Sequence, residues 1–138
     1  DRPVTTFLLD ANSLSDVVRN PYGAVAGHIL KVGEANICTS IIVAAELRFG
    51  AEKKGSRQLA NRVAAVLEAI EVMPFEPPAD VTYAEIRTSL ERTGRPTDAN
   101  DLLIAAHVLT LGCTLVTDNE RDFRRIRGLA MENWLRRR

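Results

Sequence analysis

Short apolar runs of strand length alternate along this chain with longer segments of helical periodicity, and this alternation limits the folds that the chain can adopt. A helix between two strands returns the chain to the starting end of a sheet, so the pattern favours a mostly parallel sheet with helices on both faces. The third run contains Pro74, which cannot donate a ladder hydrogen bond and therefore predicts an edge strand. The predicted strands are Val4 to Leu9, Ile37 to Thr39, Val72 to Phe75, Thr114 to Thr117 and Ala130 to Leu135.

Capping residues and glycines give the bounds of the intervening helices. Asn12 or Ser13 is the predicted N-cap of the first helix, and Asn20-Pro21 closes it. The later helices are predicted at Ala24 to Val32, Ile41 to Lys54, Ser56 to Ile70, Ala79 to Arg92 and Asp98 to Leu111, with a helical turn from Asp122 to Ile126. The chain has no internal repeat, low-complexity segment or linker, so residues 1–138 are predicted to form one α/β domain.

The composition is that of a globular protein with an aliphatic core, since 46% of the residues are hydrophobic but only 5% are aromatic. The net charge is zero, so the overall charge does not point to a nucleic-acid partner. Arginines nevertheless crowd the C-terminal end, at positions 121, 124, 125, 127 and 136–138. This cluster fits two interpretations equally well, a local patch for a polyanion or a solvated terminal helix and tail.

The cysteines and the hydropathy of the chain indicate the cellular compartment in which we expect the protein. Cys38 and Cys113 lie in apolar, strand-like runs without a CxxC pattern, which favours free thiols in a reducing cytosol over a disulfide. No apolar run approaches the roughly 20 residues of a membrane span, and the first residues lack the basic-then-apolar pattern of a signal peptide. We therefore expect a cytoplasmic protein without membrane contact.

Four acidic residues occupy positions from which they can reach one place. Asp10 and Asp118 each follow a predicted buried strand, at the edge where open α/β sheets bind ligands, although acids there are also ordinary turn residues. Glu46, between Ile42 and Phe49, lies on an apolar helix face, and so does Asp101. A buried carboxylate there must be paired or bind a metal. A salt bridge to Arg48 or to an arginine elsewhere would account for Glu46, and a favourable interaction with the positive end of the helix dipole would account for Asp101.

A cluster of these acids would repel itself, so one would stay protonated unless a cation joined them. Oxygen ligands without histidine or cysteine favour Mg²⁺, or Mn²⁺ in its place, over zinc. Sites of this kind commonly activate water against a phosphodiester. His28 and His107 do not fit as ligands, and a hydrogen-bonded core position is expected for His107. A purely structural cluster of ion pairs is the weaker alternative.

Four short motifs and an ending, in their order and spacing, resemble the PIN-domain ribonucleases, specifically the VapC-type toxins of bacterial toxin–antitoxin pairs. Each motif is short, but together they span nearly the whole chain, and the resemblance implies a single PIN-like domain. The motifs are Leu8-Leu9-Asp10-Ala11-Asn12, Ser40 to Gly50, Gly94-Arg95-Pro96 with Asn100-Asp101-Leu102-Leu103-Ile104-Ala105-Ala106-His107, and Leu115-Val116-Thr117-Asp118-Asn119 through Phe123, and the ending is Gly128-Leu129 with Glu132-Asn133-Trp134.

The resemblance implies a catalytic set. Asp10, Glu46 and Asp101 would form an acidic triad, with Asp10 and Asp101 as the direct metal ligands, and Asn12 would orient the site. The fourth acidic position is open, because alignment favours Asn119 whereas Asp118 is nearer in chemistry.

Asp98 stands where many relatives have glycine. It either caps the helix that follows, which we favour, or binds a second metal ion through water.

The function that the resemblance implies is that of a type II toxin, a Mg²⁺-dependent endoribonuclease. Metal-activated water would attack phosphorus in line and leave a 5′-phosphate and a 3′-hydroxyl. The alternative is a PIN fold that no longer cuts and only binds RNA or a protein. The expected assembly is a homodimer in complex with a cognate VapB-type antitoxin, whose tail would place an arginine among the acids and apolar anchors near Leu14, Val17, Leu47 and Phe49.

Overall fold

The computed structural model describes residues 6–94 and 97–135, which form five strands and seven α-helices. Positions 4, 5, 95, 96 and 136–138, where the sequence analysis makes predictions, lie outside the described residues. The strands are β1 (Phe7–Leu9), β2 (Ile37–Ser40), β3 (Glu71–Met73), β4 (Thr114–Val116) and β5 (Met131–Glu132). The helices are α1 (Ala11–Arg19), α2 (Ala24–Val32), α3 (Ile41–Lys54), α4 (Arg57–Ala69), α5 (Ala79–Arg92), α6 (Ala99–Leu111) and α7 (Glu120–Phe123).

The five strands form one parallel sheet in the order β3-β2-β1-β4-β5. Leu8 and Leu9 point to opposite faces of β1, because side chains alternate along a strand. Both are completely buried, as are Leu115 and Val116 of β4, so helices cover both faces of the sheet. The predicted fold class, an α/β domain with a parallel central sheet, is confirmed, as is the edge position of the strand before Pro74.

The order of the strands places a crevice at the carboxyl ends of β1 and β4. The chain runs from β1 outwards through β2 to β3, and then crosses to β4 on the other side of β1. At such a switch point the connections leave the two neighbouring strands in opposite directions, which opens a ligand-binding crevice. Asp10 and Asp118 follow β1 and β4, so both lie at this crevice.

The first helix begins earlier than predicted. Neither Asn12 nor Ser13 is its N-cap; the cap is Asp10, whose side chain accepts a hydrogen bond from the backbone N–H of Ser13 at 2.9 Å. The Asp10 N–H donates to the Val116 carbonyl at 3.0 Å, so the sheet ladder and the helix meet at this one residue. Asp10 is therefore held by backbone on both sides.

Several predicted strands and helices were wrong at their ends. β3 begins at Glu71 and ends before Pro74, and β5 contains only Met131–Glu132. The helical turn lies at Glu120–Phe123, earlier than the predicted 122–126, and the helix predicted to reach Ile70 ends at Ala69. Burial explains the overextended strands, because an apolar residue beside a sheet can be buried without ladder hydrogen bonds; Trp134 is only 2% exposed although it follows β5.

Cys38 and Cys113 are free thiols, as the sequence analysis favoured, with Cys38 buried and Cys113 partly exposed. No helix within the described part of the chain is long and apolar enough to cross a membrane.

Candidate active site

Asp10 is the most enclosed acid of the crevice, with 8% of its surface exposed. Its neighbour Ser13 donates through its hydroxyl to the Val116 carbonyl at 3.2 Å, which fixes the first turn of α1 against β4. Burial raises the pKa of Asp10, and the charge of Asp118 raises it further, whereas hydrogen bonds from Thr117 and Ser13 oppose the shift. Proton uptake by Asp10 is therefore easier here than in water.

Asn12 connects the segments that follow the neighbouring strands β1 and β4. Its side-chain amide donates to Asp118 Oδ1 at 3.1 Å, across a sequence separation of 106 residues. Asp118 itself is exposed, on the rim of the crevice. The predicted role of Asn12 as a residue that orients the site stays a prediction.

Asp118 and Asn119 both lie at the site but are near different acids. The Asn119 amide approaches Asp101 Oδ2 at 3.5 Å, and its backbone N–H donates to Thr117 Oγ1 at 2.9 Å. Asp118 instead lies close enough to Asp10 to affect its pKa. Which of the two residues fills the fourth acidic position stays a prediction.

Glu46 extends from the second turn of α3 and is half-buried. Its Oε2 accepts a hydrogen bond from the side-chain amide of Asn100 at 3.1 Å, and burial raises its pKa together with the charges of Asp98 and Asp10. The alternative of a salt bridge to Arg48 is wrong, because no ion pair joins these two side chains in the described part of the chain and Glu46 instead accepts from Asn100.

The predicted apolar face around Glu46 is wrong at Phe49, which is 65% exposed. Asn100, the partner of Glu46, was missed by the sequence analysis, since no local pattern relates two polar residues 54 positions apart.

Asp101 lies in the first turn of α6 and faces most of the other acids. Burial, together with the charges of Asp98, Glu46, Asp122 and Asp10, raises its pKa to about 6. Asp98 is the N-cap of α6, with its carboxylate accepting from the backbone N–H groups of Asn100 and Asp101 at 2.8 and 3.3 Å. The predicted capping role of Asp98 is confirmed.

The fold and this arrangement of acids can be compared with known proteins. Residues 7–129 match the model of the PIN domain. The chain belongs to the PIN domain family. Relatives of the chain include Ribonuclease VapC2 of Rickettsia felis, which is 40% identical over 130 residues, covering 93% of this chain and 97% of the relative. The tRNA(fMet)-specific endonuclease VapC of Shigella flexneri is 33% identical over 132 residues, with 93% and 97% of the two chains covered.

Two solved structures of toxin–antitoxin complexes have chains with the same fold. The VapBC2 complex from Rickettsia felis bound to a promoter DNA fragment contains a chain that superposes with a TM-score of 0.87 at 32% identity, covering 94% of this chain and 99% of that one. The DNA-bound VapBC complex from Salmonella typhimurium gives a TM-score of 0.83 at 30% identity, covering 95% and 99%. The PIN domain of this chain is therefore matched over nearly its whole length.

The histidines of this PIN domain contact other parts of the fold. His107 is 1% exposed, with its ring 5.3 Å from that of Phe75 and Nδ1 at 2.8 Å from Ser40 Oγ, so the predicted hydrogen-bonded core position is confirmed. His28 stacks on Trp134 with ring centroids 4.9 Å apart.

The chemistry of the site suits a hard divalent cation. Its donors are carboxylate and amide oxygens, and the carboxylates raise one another's pKa values, so a bound cation would relieve their repulsion. Within the described residues, no three His, Cys, Asp or Glu side chains are already arranged as a complete metal-binding group. A cation would therefore draw the acids together and complete its shell with water or substrate oxygens.

Proposed function

We propose that this PIN-domain chain is the endoribonuclease toxin of a type II toxin–antitoxin pair. The observation that supports the proposal is the electrostatic proximity of three acids near the carboxyl ends of β1 and β4. Burial raises the pKa values of Asp10, Glu46 and Asp101, and the charge of Asp10 raises those of the other two further. Acids that perturb one another in a crevice are typical of a functional site. The printed names of the relatives, ribonuclease and endonuclease, support RNA as the substrate.

The acids would hold Mg²⁺, with Mn²⁺ as a substitute, and Asp10 and Asp101 would be its direct ligands. Such an ion supplies a Lewis acid for the phosphoryl oxygen and a bound water of lowered pKa. Glu46 contributes a further negative charge whose position is fixed by the Asn100 amide. Asn12 orients Asp118, and either Asp118 or Asn119 completes the set.

The proposed partner is a VapB-type antitoxin, supported by the VapBC complexes among the similar structures. A concavity beside Glu46, between α1 and the α3–α4 pair, has apolar walls that include Leu59 and Val63 and suits an antitoxin segment. Leu47, one of the residues predicted for this apolar surface, lines the concavity, whereas Leu14 is 0% exposed and does not. A homodimer and a cytoplasmic location also stay predictions.

RNA cleavage by the purified chain tests the proposal directly. We expect Mg²⁺-dependent cutting that disappears on chelation and in Asp10→Asn. The matched control is Asp80→Asn, which removes one carboxylate from an exposed position on α5. A chain that binds metal and RNA but never cuts would instead support the alternative, a catalytically silent PIN module.

A further inference from the structure

The acidic crevice creates an electrostatic problem for its proposed substrate. RNA carries a negative charge at every phosphate, whereas the crevice collects Asp10, Glu46, Asp98, Asp101 and Asp118. The whole chain has a net charge of zero, so it offers no overall attraction to a polyanion. Attraction must therefore come from a local group of cations beside the acids.

Arginines of this kind occur on α7 and just after it. Arg121, Arg124 and Arg125 have the spacing i, i+3 and i+4, which places their side chains on one face of a helical turn. Together with Asp122 they line an open concavity, which we call the arginine concavity. Arg121 and Arg124 are exposed and form no ion pair in the described part of the chain.

Three connections join the arginine concavity to the acids. Asn119, the residue before α7, contacts Asp101 through its side chain at 3.5 Å. Asp122, which lines the concavity, is near enough to Asp101 to raise its pKa. Arg125 donates through Nη2 to Thr97 Oγ1, immediately before the Asp98 cap of α6.

We propose that the arginine concavity binds backbone phosphates of the RNA next to the cleaved bond. Arg121 and Arg124 contact phosphate oxygens, and Arg125 fixes one side of the concavity through its hydrogen bond to Thr97. This inference rests on the proposed function. Guanidinium groups bind carboxylates as well as phosphates. The acids would repel an acidic protein segment and an RNA phosphate alike, but only the phosphate must lie beside them for the proposed reaction.

The test compares two double variants that each remove two positive charges. Arg121→Gln/Arg124→Gln alters the arginine concavity and leaves Arg125 and its Thr97 contact in place. Arg57→Gln/Arg62→Gln is the control, since both arginines are exposed on α4, and Arg62 lies near Arg19 at the end of α1 opposite Asp10. The probe is a labelled single-stranded RNA of mixed sequence, whose Kd without Mg²⁺ and whose KM and kcat with Mg²⁺ are measured over a range of salt.

We expect the concavity variant to weaken RNA binding by roughly 10- to 30-fold at about 0.1 M salt and to lower the slope of log K against log salt by about 1.4, because each lost phosphate contact lowers it by about 0.7. KM should rise while the Mg²⁺-induced gain in melting temperature stays unchanged. Arg121→Lys/Arg124→Lys should restore most of the affinity, because lysine keeps the charge. The control should bind and cut like the wild type.

Two failures are distinguishable. If the wild type cuts no RNA with Mg²⁺ present, the proposed function fails, and this inference fails with it. If the wild type cuts but the concavity variant keeps the wild-type KM, Kd and salt slope, only this inference is overturned. Loss of antitoxin binding in that variant with unchanged RNA binding would assign the arginines to a protein partner and would also overturn it.

Discussion

The Nδ1 atom of His107 lies 2.8 Å from the hydroxyl of Ser40, and this buried hydrogen bond joins the two helices that carry Glu46 and Asp101. Ser40 caps α3, where its oxygen accepts from the Ile42 N–H at 3.0 Å. The hydroxyl hydrogen is then available to His107, which accepts it as a neutral imidazole. Burial lowers the His107 pKa, which favours this neutral form at pH 7.

The remaining nitrogen of this ring, Nε2, carries the proton in that tautomer. Nε2 is buried and has no hydrogen-bond partner within the described residues, although the backbone of Pro74 lies close enough to oppose the lowering of the His107 pKa. His107 thus connects α6 with the start of α3 and with the segment after β3.

Removal of the Ser40–His107 bond should destabilise the fold. We expect His107→Phe and Ser40→Ala each to lower the free energy of unfolding by about 1–3 kcal/mol, because one buried partner is left unsatisfied. The double variant should lose less free energy of unfolding than the two single variants together. A double-mutant cycle measured by urea unfolding should give a coupling energy of about 1 kcal/mol. Additive losses would show that the two side chains act independently.

Asp10→Asn should abolish cleavage without unfolding the protein. Asparagine is as good an N-cap as aspartate, so α1 keeps its start, while the loss of one buried charge relieves repulsion. Cleavage should fall by roughly 100-fold or more, because loss of even a residue that only supports a metal ligand costs about 10- to 100-fold, and the melting temperature should stay equal or rise. Asp10→Ala should cut equally poorly but melt lower, since it also loses the cap.

The pH dependence of stability follows from the direction of the carboxyl shifts. The pKa of Asp101 rises from 3.8 to about 6 on folding, so between these values the folded state binds more protons than the unfolded state. In the metal-free protein, the contribution of Asp101 to the free energy of unfolding is therefore complete below pH 3.8 and is lost as the pH rises through about 6. Burial shifts Asp10 and Glu46 in the same direction.

Melting curves in chelator test this sign. Between about pH 5 and pH 7 the melting temperature of the wild type should fall by several degrees more than that of Asp101→Asn. Equal losses in the two proteins would mean that Asp101 titrates normally.

Bound metal should reverse this loss of stability near neutral pH. Because the unfolded chain does not gather the acids, Mg²⁺ or Mn²⁺ at about 100 times its Kd should add roughly 2.7 kcal/mol to the free energy of unfolding. The gain should shrink below the Asp101 pKa of about 6, where protons compete for the ligands. A melting temperature that does not change with millimolar metal at pH 7 would argue against a metal site.

The sequence predicts the site best where local patterns place its residues. Asp10 and Asp118 follow apolar runs, and the alternation of strands and helices brings both to one edge. The N-cap of α1 was missed because Asp10 and Ser13 both suit a cap, and the choice depends on where the ladder to β4 ends. The Ser40–His107 bond spans 67 residues, and no short-range pattern encodes such a contact.

The last prediction concerns inhibition by the proposed antitoxin. Its tail should place an arginine among the acids, because a guanidinium can pair with carboxylates and occupy the position of the cation. The apolar concavity between α1 and the α3–α4 pair would take the neighbouring side chains of the tail, and it already includes Glu46 in its lining. A synthetic tail peptide should therefore inhibit cleavage, and raised Mg²⁺ should weaken the inhibition by competition.

The matched control is the same peptide with its arginine changed to glutamine, which keeps the apolar anchors but loses the cation. It should inhibit at least tenfold more weakly, since a charge-assisted hydrogen bond contributes about 1.5–3 kcal/mol, and its inhibition should not depend on Mg²⁺. Titration of both peptides against cleavage at two Mg²⁺ concentrations measures the difference. Inhibition that is complete in both peptides and indifferent to Mg²⁺ would mean that the tail acts by covering the crevice, because replacement of the cation requires both dependences.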